Sequence, residues 1–128
     1  MAAVVHFEII GKDGKRLQDF YASLFDWKID ANNPMNYGMV EAEEEMPASG
    51  TGERHQHAGI AGGIGQSDGG PQVTFYVQVT SIEDTLRKAE SMGGQIVMPP
   101  MEVPGGPTIA QFRDPEGNVI GLVTEQRP

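Results

Sequence analysis

The sequence predicts an α+β domain built from two βαβββ modules. The order strand, helix, three strands reads twice along the chain. Phe7 and Phe75 hold matching places in the two opening strands, about 68 positions apart, and a repeat of that length is not a solenoid unit. Each run carries one amphipathic helix, and helices laid on one face of mixed or antiparallel strands make an α+β layer. The boundaries are expected near residues 3–66 and 72–125. At 128 residues the chain fits one domain and is long enough to bury a core.

The opening segment Val4–Ile10 alternates in polarity and reads as a strand. Glycines 11 and 14 end it. Leu17, Phe20, Tyr21, Leu24 and Phe25 then recur at helical spacing, so a helix is expected over Lys15–Phe25 with these residues as its core face. Trp27-Lys28-Ile29 opens a second strand, and Tyr37–Glu41 reads as a third. Glu43–Gln56 is acidic and glycine-rich without any period, so an exposed, mobile loop is expected there. Gly59–Gly65 reads as a glycine-laden strand.

Asp68-Gly69-Gly70-Pro71 is a turn, after which the pattern restarts. Val73–Val79 is a strand. Ser81 is placed to cap a helix over Ser81–Met92, with Thr80 and Glu83 as an alternative capping pair and Gly93 as the left-handed stop. Gln95–Met98 reads as a strand ended by Pro99-Pro100. Thr108–Phe112 and Val119–Val123 are two more, joined by the turn Asp114-Pro115-Glu116-Gly117.

Composition narrows the function classes. The net charge is −9, and Lys12, Lys15 and Arg16 are the only basic cluster, which reads as a solvated helix start; a polyanion such as nucleic acid is an unsuitable partner. No stretch approaches the length needed to cross a bilayer, and the first residues lack the pattern of a secretory signal. The chain has no cysteine, which excludes disulfides and thiolate–metal sites and makes the reducing cytoplasm the expected location. The run Gly59-Ile60-Ala61-Gly62-Gly63-Ile64-Gly65 is no dinucleotide loop, because no helix follows it.

The paired modules, the strand Val5-His6-Phe7, the helix Leu17–Trp27 with its Phe20-Tyr21 pair, Pro104-Gly105-Gly106-Pro107 and the stretch Asp114–Ile120 together resemble the glyoxalase/bleomycin-resistance/dioxygenase (vicinal oxygen chelate) superfamily. The resemblance implies a half-open mixed barrel of about eight strands with the helices outside. It also implies a divalent ion held in metal-dependent members by two His or Gln and two Glu. His6 matches the first ligand. Thr74 stands where the second module would supply its counterpart. Glycines, Gly62 or Gly63 and Gly121, stand where the two carboxylates would be. One imidazole cannot hold a divalent ion. No cofactor is therefore expected, and a metal on other residues, such as His55 and His57 near Glu43, Glu44 and Glu45, is the alternative.

Strand parity adds a second reading. His6 and Glu8 share one face of their strand, as do Thr74, Tyr76 and Gln78 of theirs. If the apolar faces meet the helices, these polar sets line the barrel cavity, with glycine at 62, 63 and 121 leaving volume. The expected ligand-binding residues are His6, Glu8, Thr74, Tyr76, Gln78 and Gly121, with His6 and Tyr76 touching the ligand and Glu8 orienting the imidazole. Met98, Pro99, Pro100, Met101 and Pro104 are expected between strands near the rim, with core filling as the alternative role of the methionines. The expected function is small-molecule binding, or a degenerate enzyme of this family. The alternatives are an active lyase or dioxygenase with an atypical metal site, or with His6 and Glu8 as acid–base groups; an antibiotic- or metabolite-sequestering protein; and an interaction module with a vestigial pocket. Family resemblance also implies a homodimer.

Overall fold

The computed structural model describes residues 2–42 and 59–124. The expected mobile loop, with His55 and His57, lies outside the described residues. The chain divides into two compact units: His6–Val73, and Thr74–Pro128 together with Met1–Val5. These are called the first and second modules below.

In the first module, β1 (Val4–Gly11) leads through α1 (Gly14–Phe25) to β2 (Ile29–Asp30), β3 (Gly38–Val40) and β4 (Ala61–Gln66). The strand order is β2-β3-β4-β1, with β1 parallel to β4 and the other pairs antiparallel. The second module repeats the plan with β5 (Gln72–Val79), α2 (Ile82–Ser91), β6 (Gln95–Glu102), β7 (Thr108–Arg113) and β8 (Val119–Thr124). Its order is β5-β8-β7-β6, with β5 parallel to β8. The two βαβββ runs expected from the sequence are both present.

Helix α2 forms where its signals stand. Ser81 accepts a hydrogen bond from the Asp84 amide, acidic Glu83 and Asp84 sit in the first turn, and Gly93 follows at φ 98°. The alternative cap at Thr80 is not used. Ile82 and Leu86 are buried with Ala110 of β7 and Leu122 of β8, and Val77, Val79 and Phe112 pack around them. Burial of each large aliphatic side chain contributes about 1.5–3 kcal/mol.

Helix α1 departs from expectation. It starts behind Asp13, whose carboxylate accepts from the Arg16 amide, and stops at Asp26 in the left-handed region, φ 59°. Its buried residues, however, are Gly14 and Gln18, while Phe20, Leu24 and Phe25 are each more than half exposed. The cause is a polar anchor. Gln18 Nε2 donates to the carbonyls of Ile64 (2.8 Å) and Asn36 (3.0 Å), and the Gly14 amide donates to Gln66 Oε1. These bonds turn the Gly14–Gln18 side of the helix toward β4. The aromatic residues stack among themselves instead, Tyr21 on Phe25 and Trp27, and Trp27 against Phe7.

Strand β6 also differs from expectation. It does not end at Met98 but runs through Pro99-Pro100 to Glu102, so Met98 and Met101 are strand residues. Two register shifts against β7, flanking Met98, accommodate the extra residues.

Candidate functional site

In the first module, alternation along β1 separates two faces. Phe7 and Ile9 lie level with Gly62 and Ile64 of β4, on the side taken by α1, and the Phe7 ring fills the place where a side chain at 62 would stand. His6 and Glu8 lie on the other face, where Glu8 is level with Gly63. Tyr37 joins them. Its hydroxyl donates to Glu8 Oε2 at 2.8 Å and lies 3.1 Å from His6 Nε2, and the His6 and Tyr37 rings are near-parallel at 6.4 Å.

The Tyr37 ring rests on glycine. A Cβ at Gly63 would collide with the phenol and one at Gly65 would crowd the ring. The backbone of Tyr37 is held by Asn33, whose side chain donates to the Tyr37 carbonyl (2.7 Å) and accepts from its amide (2.9 Å). Burial holds the His6 imidazole below its ordinary pKa of 6.5, because a charged ring loses hydration there.

The second module carries a matching arrangement. Tyr76 of β5, Gly121 of β8 and Gln111 of β7 are level across three strands. The Tyr76 ring lies over Gly121, where a Cβ would collide with it, and its hydroxyl accepts from Gln111 Nε2 at 2.9 Å. Tyr76 is buried, and so is Thr74, whose hydroxyl donates to the Val119 carbonyl at 2.6 Å. Gln78 is half-buried and level with Val123; its amide donates to the Ala3 carbonyl. In both modules the polar set lies opposite the helix, as parity predicts.

One expectation needs correction. The glycines at 62, 63 and 121 do not leave open volume; the rings of Phe7, Tyr37 and Tyr76 occupy the three places. The same observation decides whether the residues present fit the metal implied by resemblance, and they do not. Where carboxylates would project stand a phenol and a phenol ring, the Thr74 hydroxyl is turned to a backbone carbonyl, and His6 Nε2 is engaged with Tyr37. Among the described residues no group of three or more His, Cys, Asp and Glu is placed to hold an ion.

Sequence reasoning missed Tyr37 and Gln111. Tyr37 precedes β3 and reaches Glu8 only by crossing Gly63 of β4, a relation that emerges once the strand order is known. For Gln111 a signal existed: it shares strand parity with Ile109 and Arg113, opposite the buried Ala110. The stretch Asp114–Asn118 proves to be a hairpin lock. The Asp114 carboxylate accepts from the Glu116 and Asn118 amides and from the Asn118 side chain, which holds its pKa below the ordinary carboxylate range.

A family model, the Glyoxalase/Bleomycin resistance protein/Dioxygenase superfamily, matches residues 3–122. The anthracycline biosynthesis protein DnrV of Streptomyces peucetius is 28% identical, over 91% of this chain and 44% of its own length. The chain therefore spans less than half the length of that curated relative. Among solved structures, the hypothetical protein BH1468 from Bacillus halodurans C-125 superposes with a TM-score of 0.63 at 15% identity, covering 99% of this chain and 96% of its own. The Mn(II)-bound glyoxalase from Novosphingobium aromaticivorans gives a TM-score of 0.61 at 16% identity, covering 97% of this chain and 40% of its own. These structures share the fold, and with the family model matching nearly the whole length, this chain belongs to the glyoxalase/bleomycin resistance protein/dioxygenase superfamily.

Proposed function

We propose that this protein binds a small organic metabolite without the family's metal, as a sequestering or carrier protein. One observation carries the reading: a half-buried histidine is tied through a tyrosine hydroxyl to a carboxylate, on a strand face turned away from the helix. Such a set fits recognition of a ligand's polar group by hydrogen bonds, with aromatic surface beside it. The relative named for anthracycline biosynthesis supports an aromatic, hydroxylated ligand of the antibiotic class. Thr74, Tyr76, Gln78 and Gly121 are proposed to serve the same ligand-binding role in the second module. The protein acts as a homodimer in the cytoplasm on this reading; no described helix is long and apolar enough to cross a membrane.

A second reading is acid–base chemistry on the same ligand. It is favoured by the lowered pKa of His6, which leaves the imidazole neutral and available as a base near pH 7.

Native mass spectrometry of freshly purified protein, with metal analysis of the same sample, tests metal, metabolite and assembly together. Fluorescence titration with an anthracycline tests the ligand class. Saturable binding that weakens roughly fivefold or more in His6→Gln, the loss of about one net hydrogen bond, supports the proposal. Near-unit metal that disappears in His6→Ala, or ligand affinity unchanged in a folded His6→Gln, rejects it.

A further inference from the structure

A phenol has a single hydrogen, so Glu8 and His6, both within reach of the Tyr37 hydroxyl, divide its roles. Its oxygen lies 2.8 Å from Glu8 Oε2 and 3.1 Å from His6 Nε2. A carboxylate accepts only, and a hydrogen bond to a charged acceptor is about twice as strong as one between neutral groups. The phenolic hydrogen therefore goes to Glu8. Were it turned to His6, lone pairs of the phenol and the carboxylate would face each other at 2.8 Å. With its hydrogen committed, the Tyr37 oxygen meets Nε2 as an acceptor, and Nε2 must carry the proton.

We infer that Glu8 and Tyr37 together set the tautomer of His6: Glu8 takes the phenolic hydrogen, Tyr37 takes the Nε2 hydrogen, and the neutral imidazole holds its lone pair on Nδ1. Tyr37 and Glu8 are positioning residues for His6. The geometry is well supported, because Asn33 pins the Tyr37 backbone and Gly63 and Gly65 seat its ring. Any group that meets Nδ1, whether from the protein or from a ligand, meets an acceptor. This sharpens the ligand class to a hydrogen donor such as a phenol, an enol or an alcohol. That last step rests on the proposed ligand-binding role of His6; the tautomer does not.

The test is long-range proton–nitrogen correlation NMR on the full chain labelled with ¹⁵N-histidine. Of the three histidines, His6 is assigned by the signal lost in His6→Gln. Wild type should show a protonated Nε2, an unprotonated Nδ1 and a slowly exchanging Hε2 proton, with a roughly tenfold excess of this tautomer, about what one net hydrogen bond supplies. In Glu8→Ala the Tyr37 hydrogen is released toward His6, so the proton should move to Nδ1. Glu8→Gln, which keeps an acceptor oxygen, should restore the Nε2 proton. A wild-type His6 protonated on Nδ1, or an unchanged Nε2 proton in Glu8→Ala, overturns the inference. If Glu8→Ala loses its dispersed amide spectrum, Tyr37→Phe decides: the Hε2 signal should vanish, and its persistence overturns the assignment. No ligand is needed, so failure here is distinct from failure of the ligand titration.

Discussion

Gly63 and Gly121 each lie under a tyrosine ring of the same module. A methyl group at either position has no room unless the ring leaves its seat. Gly63→Ala is expected to cost about 1–3 kcal/mol, the usual cost of overpacking, and to disturb the Tyr37 bridge as well; urea unfolding reads the first and the His6 NMR signals the second. His6 makes a pH prediction. Its folded pKa lies below 6.5 because burial penalises the charged ring. As pH falls below 6.5 the unfolded chain takes up a proton that the folded chain resists. Stability from this group is thus full above that pH and declines on acidification toward the folded pKa. Urea midpoints measured from mildly basic to mildly acidic pH should fall further in wild type than in His6→Gln; parallel curves would refute the assignment. At this scale the sequence was half legible. Alternation pairs His6 with Glu8 and Thr74 with Tyr76 on one strand face each, and the structure has the same pairings. The glycines read as missing ligands and empty space because the rings that fill them come from β1, from β5 and from the segment before β3, a relation in strand order rather than in spacing.

Elements were more legible than faces. Among the described residues, both helices, all eight strands and the β7–β8 hairpin turn were legible from period and turn residues, and α2 also from its cap and glycine stop, since these are local effects. The exposed side of α1 was not legible. Five apolar residues at helical spacing suggest a core stripe, yet the helix is turned by Gln18, whose amide satisfies two main-chain carbonyls. A buried polar anchor of this kind outweighs the average pattern, because leaving a buried carbonyl unsatisfied costs about 1–3 kcal/mol. Gln18→Ala should therefore destabilise the protein by about that amount, and more than Leu24→Ala, although Leu24 is the larger hydrocarbon. Equal thermal shifts for the two would show that the aromatic stripe, not Gln18, holds α1. Ser81→Ala at the head of α2 should cost about 1 kcal/mol through the lost cap, measurable in the same denaturant series.

For the whole molecule, the first residues matter beyond their length. The chain up to Val5 groups with the second module, and Ala3 accepts a hydrogen bond from the Gln78 amide at 2.9 Å. The βαβββ repeat was legible as two consecutive runs, but this sharing of β1 was not, because alternation marks a strand without naming the strand beside it. A homodimer, expected from the family, is checked by sedimentation at high micromolar concentration; a monomer throughout would remove it. The proline pair in β6 has a consequence for colonies of such molecules at high concentration. β6 is the outermost strand of its sheet, with Ile96, Val97 and Met101 well exposed, a combination that invites aggregation. Pro99 and Pro100 offer no N–H, and the shifts in register interrupt the regular ladder there, so this part of the edge gives a second chain fewer groups to pair with. Replacing both prolines by valine should leave the fold recognisable by circular dichroism while raising light scattering and thioflavin fluorescence on storage; unchanged signals would show that the prolines do not protect this edge.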